Sequence, residues 1–207
     1  MVHEITHPLV KTLVNHLRDI KTDALRFRHT VMDISRFLVY EAFRDLDMQQ
    51  KEIDIWIGKY EGSFIDEENI LFVTILRAGM PMLDGVNELF PDVSSGFLAM
   101  KRDEKSKKSV LYYDRVPECK DQTVIIVDVM VATGGSLSDA IDLIKKREPK
   151  RIISLNIIAS QEGMENVSKK HPDVDIFVAQ IDKELNADKF IIPGLGDAGD
   201  RSYNTLN

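Results

Sequence analysis

Val124-Ile125-Ile126-Val127-Asp128-Val129-Met130-Val131-Ala132-Thr133-Gly134-Gly135-Ser136 sets an acid and a glycine-rich turn between an apolar run and a helical stretch. The run Val124-Ile125-Ile126-Val127 has no polar alternation, the pattern of a strand buried on both faces, and residues 136–147 follow as the helix. In an open parallel sheet, ligands sit outside the carboxyl ends of the strands, where loop N–H groups and a helix N-terminus surround an anion. Gly134 and Gly135 let the backbone approach closely, the Thr133 and Ser136 hydroxyls can donate to phosphate oxygens, and Ser136 can open the helix. A capped turn alone would account for Thr133 to Ser136. It does not account for Asp128, an acid at the end of a buried strand whose ionised side chain needs a partner. The pattern G-x-x-x-x-G-K-[ST] is absent, so the phosphate chemistry is not that of a nucleoside-triphosphatase P-loop.

Ile70-Leu71-Phe72-Val73-Thr74-Ile75-Leu76 and Ile152-Ile153-Ser154-Leu155-Asn156-Ile157-Ile158 are further central strands, and Val174-Asp175-Ile176-Phe177-Val178 follows a helix over 162–170. The result is an α/β chain with a central, mostly parallel sheet flanked by helices. Phe27, Val31, Ile34, Leu38 and Ala42 recur at steps of three or four and predict an N-terminal helix over 23–45. Alternation in Lys51-Glu52-Ile53-Asp54-Ile55-Trp56-Ile57, then glycines from Gly58 to Gly62, predicts a hairpin beside the main sheet with its turn at 58–62.

Composition bounds the rest. The 207 residues carry no repeat or linker, so one domain over 1–207 is expected. No apolar run approaches the length needed to cross a bilayer, and the N-terminus lacks a signal-peptide pattern, so the expectation is a cytoplasmic chain away from membranes. Net charge of −7 argues against a nucleic-acid partner. Cys119, the lone cysteine, reads as incidental. Lys101-Arg102-Asp103-Glu104-Lys105-Ser106-Lys107-Lys108 lies between two strand-like stretches and reads as an exposed, mobile loop. A solvated surface and a loop closing over a polyanionic substrate both explain it.

An acid followed by Ala132-Thr133-Gly134-Gly135-Ser136 after a buried strand resembles the phosphoribosyl diphosphate motif of the type I phosphoribosyltransferases, in the form of the uracil branch. Ile75-Leu76-Arg77-Ala78-Gly79, Ile191-Ile192-Pro193-Gly194-Leu195-Gly196-Asp197-Ala198-Gly199-Asp200 and the early His7-Pro8-Leu9-Val10 match the same branch in the same order, so the resemblance spans essentially the whole chain. Gly194-Leu195-Gly196-Asp197-Ala198-Gly199 also spells G-x-G-x-x-G. A dinucleotide fingerprint must open a helix inside a β-α-β unit with an acid some twenty residues on, and only eight residues follow Gly199. A glycine-rich terminal turn is the plain alternative, although such a turn does not require the paired acids Asp197 and Asp200.

The resemblance implies transfer of phosphoribose to uracil, giving UMP and diphosphate in pyrimidine salvage. It implies that Asp128, Val129, Met130, Val131, Ala132, Thr133, Gly134, Gly135, Ser136 and Asp197 bind phosphoribosyl diphosphate with Arg77 and Arg102, and that Asp128 and Arg77 serve catalysis. Ile191, Gly196, Asp197 and Ala198 become the uracil contacts, and Mg2+ is held mainly through substrate, with no dedicated protein ligand set. The family also contains dimers and larger assemblies, some GTP-regulated, so a homo-oligomer and a GTP effector are raised as well. Arg77 has its own warrant, since a guanidinium after a buried strand can clamp a diphosphate through paired hydrogen bonds. The chain departs from the family pattern at Val129, at Pro81 and over Ser202-Tyr203-Asn204-Thr205, changes that bear on loop geometry and remove no side chain to which chemistry is assigned.

Overall fold

The computed structural model describes residues 1–102 and 109–205, and of 101, 102 and 109 the backbone alone. The chain begins with β1 (Val2–Glu4), α1 (Pro8–Arg18) and α2 (Ala24–Ala42), then the hairpin β2 (Met48–Ile55) and β3 (Gly58–Ile65). The sheet-building part follows as β4 (Ile70–Leu76), α3 (Met80–Asn87), β5 (Ser94–Arg102), β6 (Ser109–Arg115), β7 (Thr123–Val131), α4 (Gly135–Lys145), β8 (Arg151–Ser160), α5 (Gln161–Lys170) and β9 (Asp175–Asp182). The two-residue strands β10 (Glu184–Leu185) and β11 (Ile191–Ile192) and the short α6 (Ala198–Tyr203) close the chain.

Seven strands form one sheet in the order β1-β9-β8-β7-β4-β5-β6, parallel throughout except for the antiparallel edge strand β6. The expected parallel sheet with helices on its faces is therefore present. Along β4, Ile70 and Phe72 enter one apolar cluster with α1, α2 and α3, while Leu71, Val73 and Ile75 enter a second with α4 and α5. That alternation is why a strand whose one polar side chain is the buried Thr74 is stable here, each fully buried aliphatic side chain contributing about 1.5–3 kcal/mol. From β4 the chain steps outward to β5, and from β7 it steps the opposite way to β8 and β9, so the winding reverses between β4 and β7. That reversal opens a crevice at the carboxyl ends of the two strands.

β4 matches its sequence reading residue for residue, while β7 and β8 run further than read, to Val131 and Ser160. Asp128 is consequently not the last residue of its strand. It pairs with Asn156 on the β8 side, whereas pairing to β4 ends one residue earlier, at Thr74 and Val127. The hairpin stands apart from the main sheet as expected, but its turn is Trp56-Ile57, with Ile55 facing Gly58. Gly62 lies inside β3 opposite Lys51, so the glycines of 58–62 belong to a strand and not to the turn. The N-terminal helix is shorter than 23–45, capped by Asp23, which accepts from the Arg26 N–H at 2.8 Å. In α1, His7 caps through Nδ1 and Pro8 takes the first position, where its missing N–H costs nothing. Of the charged segment 101–108 read as an exposed loop, Lys101 and Arg102 instead continue β5, paired with β6, and 103–108 lie outside the described residues.

Candidate active site

At the carboxyl end of β7 the chain turns into α4 through Ala132, Thr133 and Gly134. Gly134 is the N-cap, at φ +81°, and its Cβ would lie 2.8 Å from the Gly163 carbonyl oxygen, so both conformation and space require glycine. The helix starts at Gly135, one residue before the expected Ser136, which sits in the first turn. The N-cap glycine has no side chain with which to satisfy the first N–H groups of α4, at the positive end of the helix dipole. Behind the turn, Ser160 Oγ donates to the Ala132 carbonyl at 2.5 Å and Asn166 Nδ2 to the Thr133 carbonyl at 3.2 Å. Carbonyl and N–H point opposite ways across a trans peptide, so these two bonds turn the Thr133 and Gly134 N–H groups away from α5. Met130, Val131, Ala132, Thr133, Gly134, Gly135, Ser136 and Leu137 together line a cavity of about 150 Å³.

Asp128 is buried, with 8% of its surface exposed, and pairs with no cation among the described residues. Burial pushes its pKa up to about 7, against the opposing pull of hydrogen bonds from the Val129 and Met130 backbones. The backbone carbonyls at this point are held by side chains from both neighbouring strands. Thr74 Oγ1 on β4 reaches the Val127 carbonyl at 3.4 Å, and Asn156 Nδ2 on β8 reaches that of Asp128 at 3.0 Å, itself oriented by Ser154 Oγ at 2.8 Å. Val129, the first departure from the family pattern, is fully buried in the α1–α3 cluster.

Arg77 follows β4, across the reversal point from Asp128. A Cβ on Gly79 would lie 2.7 Å from the Val127 carbonyl, so the Arg77 turn packs directly against β7 beside Asp128. Arg77 Nη2 donates to Asp200 Oδ1 at 2.9 Å and Nη1 to Thr205 Oγ1 at 3.2 Å, while the Thr205 hydroxyl donates to Asp200 at 2.6 Å. The Thr205 hydroxyl and the Arg77 guanidinium hold the Asp200 carboxyl below its usual range. Asp197 caps α6 by accepting from the Asp200 N–H at 2.8 Å. The paired acids of the terminal turn thus both have structural partners, contrary to the expectation that a turn would not need them. Pro81 lies in the first turn of α3, where proline is tolerated, and Asn204 closes α6 in the left-handed region, which suits asparagine.

Ile191, Gly196, Asp197 and Ala198 fall on the segment from β11 to α6. Ile191 and Ala198 are buried, and Gly196 and Asp197 line a cavity of about 450 Å³ with Arg18, Ile20, Pro193, Gly194, Leu195 and Arg201. The structure joins Arg77 to this terminal segment and sets the Arg77 turn against β7, whereas the 150 and 450 Å³ cavities share no lining residue. Arg102 ends β5, and its side chain lies outside the described residues. Cys119 is buried and burial pushes its thiol pKa up, consistent with an incidental role. Sequence reasoning passed over Thr74, Ser154, Asn156, Arg18 and Asp182. Ser154 and Asn156 did leave a signal, two polar residues in an otherwise apolar buried strand.

The family model for uracil phosphoribosyltransferase matches residues 4–205. A uracil phosphoribosyltransferase of Aquifex aeolicus is 43% identical over 203 residues, covering 98% of both chains. A solved Aquifex aeolicus protein, also 43% identical over 98% of both chains, superimposes with a TM-score of 0.95. The fold alone extends to a purine phosphoribosyltransferase of Pyrococcus horikoshii, at 18% identity and a TM-score of 0.50 over 73% of this chain and 85% of that one. With residues 4–205 matched by the family model and a relative 43% identical over 98% of both chains, the chain belongs to the uracil phosphoribosyltransferase family.

Proposed function

We propose that this enzyme joins uracil to 5-phospho-α-D-ribose 1-diphosphate at the crevice between β4 and β7, releasing diphosphate and UMP. The observation that carries the reading is the N-terminus of α4, whose N-cap glycine offers no side-chain cap, its preceding carbonyls tied back, beside a buried carboxyl with no cationic partner among the described residues. The N–H groups of residues 133–136 and the Thr133 and Ser136 hydroxyls hold the 5-phosphate, so binding energy remote from the reacting bond orients the sugar. Met130, Val131 and Ala132 shape the wall leading to that turn, while Val129, its side chain in the core, contributes through its backbone bond to Asp128. Asp128 accepts from the ribose hydroxyls, directly or through water or metal. Arg77 exchanges Asp200 for oxygens of the departing diphosphate, and Arg102 assists, so charge leaving the anomeric carbon meets fixed cations. Ile191, Gly196, Asp197 and Ala198 read the alternating donors and acceptors of uracil, with Asp197 also facing the phosphoribosyl group. Magnesium takes few carboxylates plus substrate phosphates, and the lone carboxyl of Asp128 fits that donor set. Bound there, Mg2+ would offset charge on the diphosphate.

Thermal unfolding with and without phosphoribosyl diphosphate tests the phosphate turn. The ligand should raise the melting temperature of the unaltered enzyme and leave that of a Thr133→Val, Ser136→Ala double variant nearly unmoved. Equal shifts would remove the turn from phosphate binding. A homo-oligomer belongs to the same proposal, because the hairpin leaves Trp56 94%, Ile57 70% and Tyr60 55% exposed, an apolar patch that monomers seldom present to water. Sedimentation as a dimer or larger species supports it, and sedimentation as a monomer at micromolar concentration refutes it.

A further inference from the structure

At Gly194 the terminal loop is held through both of its backbone hydrogen-bonding groups. Arg18, the last residue of α1, forms a two-pronged ion pair with Asp182, the last residue of β9, with Nη1 to Oδ2 and Nη2 to Oδ1 both at 2.8 Å. The same Nη1 donates to the Gly194 carbonyl at 2.7 Å, and Asp182 Oδ2 accepts from the Gly194 N–H at 2.9 Å. Both hydrogen-bonding groups of one residue are thus clamped by one ion pair, whose acid is 5% exposed and whose base is 20% exposed. Gly194 needs the clamp's geometry and its own lack of a side chain. It sits at φ +60°, and a Cβ would lie 2.0 Å from the Ile191 carbonyl oxygen. One residue on, Arg201 donates to the Leu195 carbonyl at 2.9 Å and to the Asp19 carbonyl at 2.7 Å, also bonds the Leu17 carbonyl, and lies 4.5 Å over the Phe27 ring. The end of α1 is therefore fastened to the loop at two consecutive residues.

We propose that Arg18 and Asp182 are positioning residues for the base pocket: through Gly194 they set the backbone from which Gly196, Asp197 and Ala198 meet uracil. The inference rests on the reading of Ile191, Gly196, Asp197 and Ala198 as base contacts. A buried ion pair is a poor source of net stability, because desolvation offsets most of its attraction. Its specific effect here is geometric. A base read by backbone donors and acceptors needs those groups placed within about 0.5 Å, and a short glycine loop does not hold them there unaided. With its fork engaged by Asp182 and Gly194, Arg18 acts on the base through the loop.

The test is a comparison of Michaelis constants for the two substrates. Asp182→Asn keeps the shape and an acceptor for the Gly194 N–H but removes the charge facing Arg18. The double variant Arg18→Met, Asp182→Leu removes both charges and leaves none buried, which protects the fold if the single change does not. Gly196→Ala, whose added methyl would meet only Arg201 at 3.7 Å but sits at φ +79°, where a side chain strains the backbone, alters the pocket directly. We expect the clamp variants to raise the KM for uracil about tenfold or more while the KM for phosphoribosyl diphosphate stays within about twofold. Arg18→Lys, which keeps the charge and loses the fork, should fall between them and the unaltered enzyme. A uracil KM changed by Gly196→Ala and unchanged by the clamp variants would overturn the proposal while leaving the base-loop reading in place. Equal rises in both KM values would overturn it too, since that is what general loosening produces. If Gly196→Ala also leaves the uracil KM unmoved, the base-loop reading fails, and the proposal fails with it.

Discussion

Replacing Asp128 by asparagine should make the enzyme nearly inactive and, at alkaline pH, more stable. The folded-state pKa of about 7 lies above the 3.8 ordinary for this carboxyl because burial disfavours the charged form. Between those values the folded chain keeps a proton that the unfolded chain has released. Unfolding then releases that proton, so stability is undiminished below pH 3.8, falls as pH rises through this window, and levels off above 7. At about 1.4 kcal/mol per pH unit the full penalty is about 4 kcal/mol as an upper bound. A buried amide whose N–H groups lack acceptors costs about 1–2 kcal/mol in return. The net gain for Asp128→Asn is then about 2 kcal/mol at pH 8.5 and near zero at pH 5, or roughly 4–8 °C in melting temperature at the higher pH. Thermal unfolding of both proteins without ligand, at the two pH values, measures the difference directly, and other titrating groups cancel between them. A difference independent of pH would refute the assignment of the buried charge. Turnover should drop about a hundredfold or more through loss of the contact to the ribose hydroxyls, and unchanged turnover would remove Asp128 from the reaction.

Arg77→Ala should raise the KM for phosphoribosyl diphosphate about 10- to 100-fold, the worth of hydrogen bonds to a charged group, and spare the uracil KM. Because its pair with Asp200 is largely exposed, stability should change by less than about 1 kcal/mol; an unaltered KM would end its role as diphosphate clamp. Gly134→Ala places a side chain at φ +81° and against the Gly163 carbonyl, so a loss of at least about 2 kcal/mol is expected in denaturant unfolding. A melt unchanged from the parent would mean the turn can relax. Hydrogen exchange across 101–108 should slow when phosphoribosyl diphosphate binds, as cations gathering on the diphosphate require. Equal exchange in both states would leave the solvated-surface reading of that charge run.

How much of this was legible in the sequence depended on the range of the forces involved. β4 was readable to the residue because an apolar run buried on both faces leaves a local mark, and β7 was found by the same mark. Its end was missed because reading stopped at Asp128, although Met130 and Val131 continue to pair with β8. The hairpin turn was misplaced because glycine was read as punctuation. The two-residue turn Trp56-Ile57 contains none, and Gly62 is tolerated in a strand that packs against only one neighbour. In α1, Val10, Val14 and Leu17 carry helical spacing and are buried, a readable signal left unused. The phosphate turn was evident because residue type and backbone conformation coincide in Gly134. The Arg18–Asp182 clamp was not, because its partners are 164 residues apart and neither is unusual in its own neighbourhood.

The account stands or falls on what base the enzyme uses. Incubation with Mg2+, phosphoribosyl diphosphate and each of uracil, cytosine, hypoxanthine and guanine in turn, with nucleotide products resolved by chromatography, is the most direct measurement. The account predicts UMP and diphosphate in equal amounts from uracil and no nucleotide from the other three. Nucleotide formed from a purine at a comparable rate, or none formed from uracil, would contradict it.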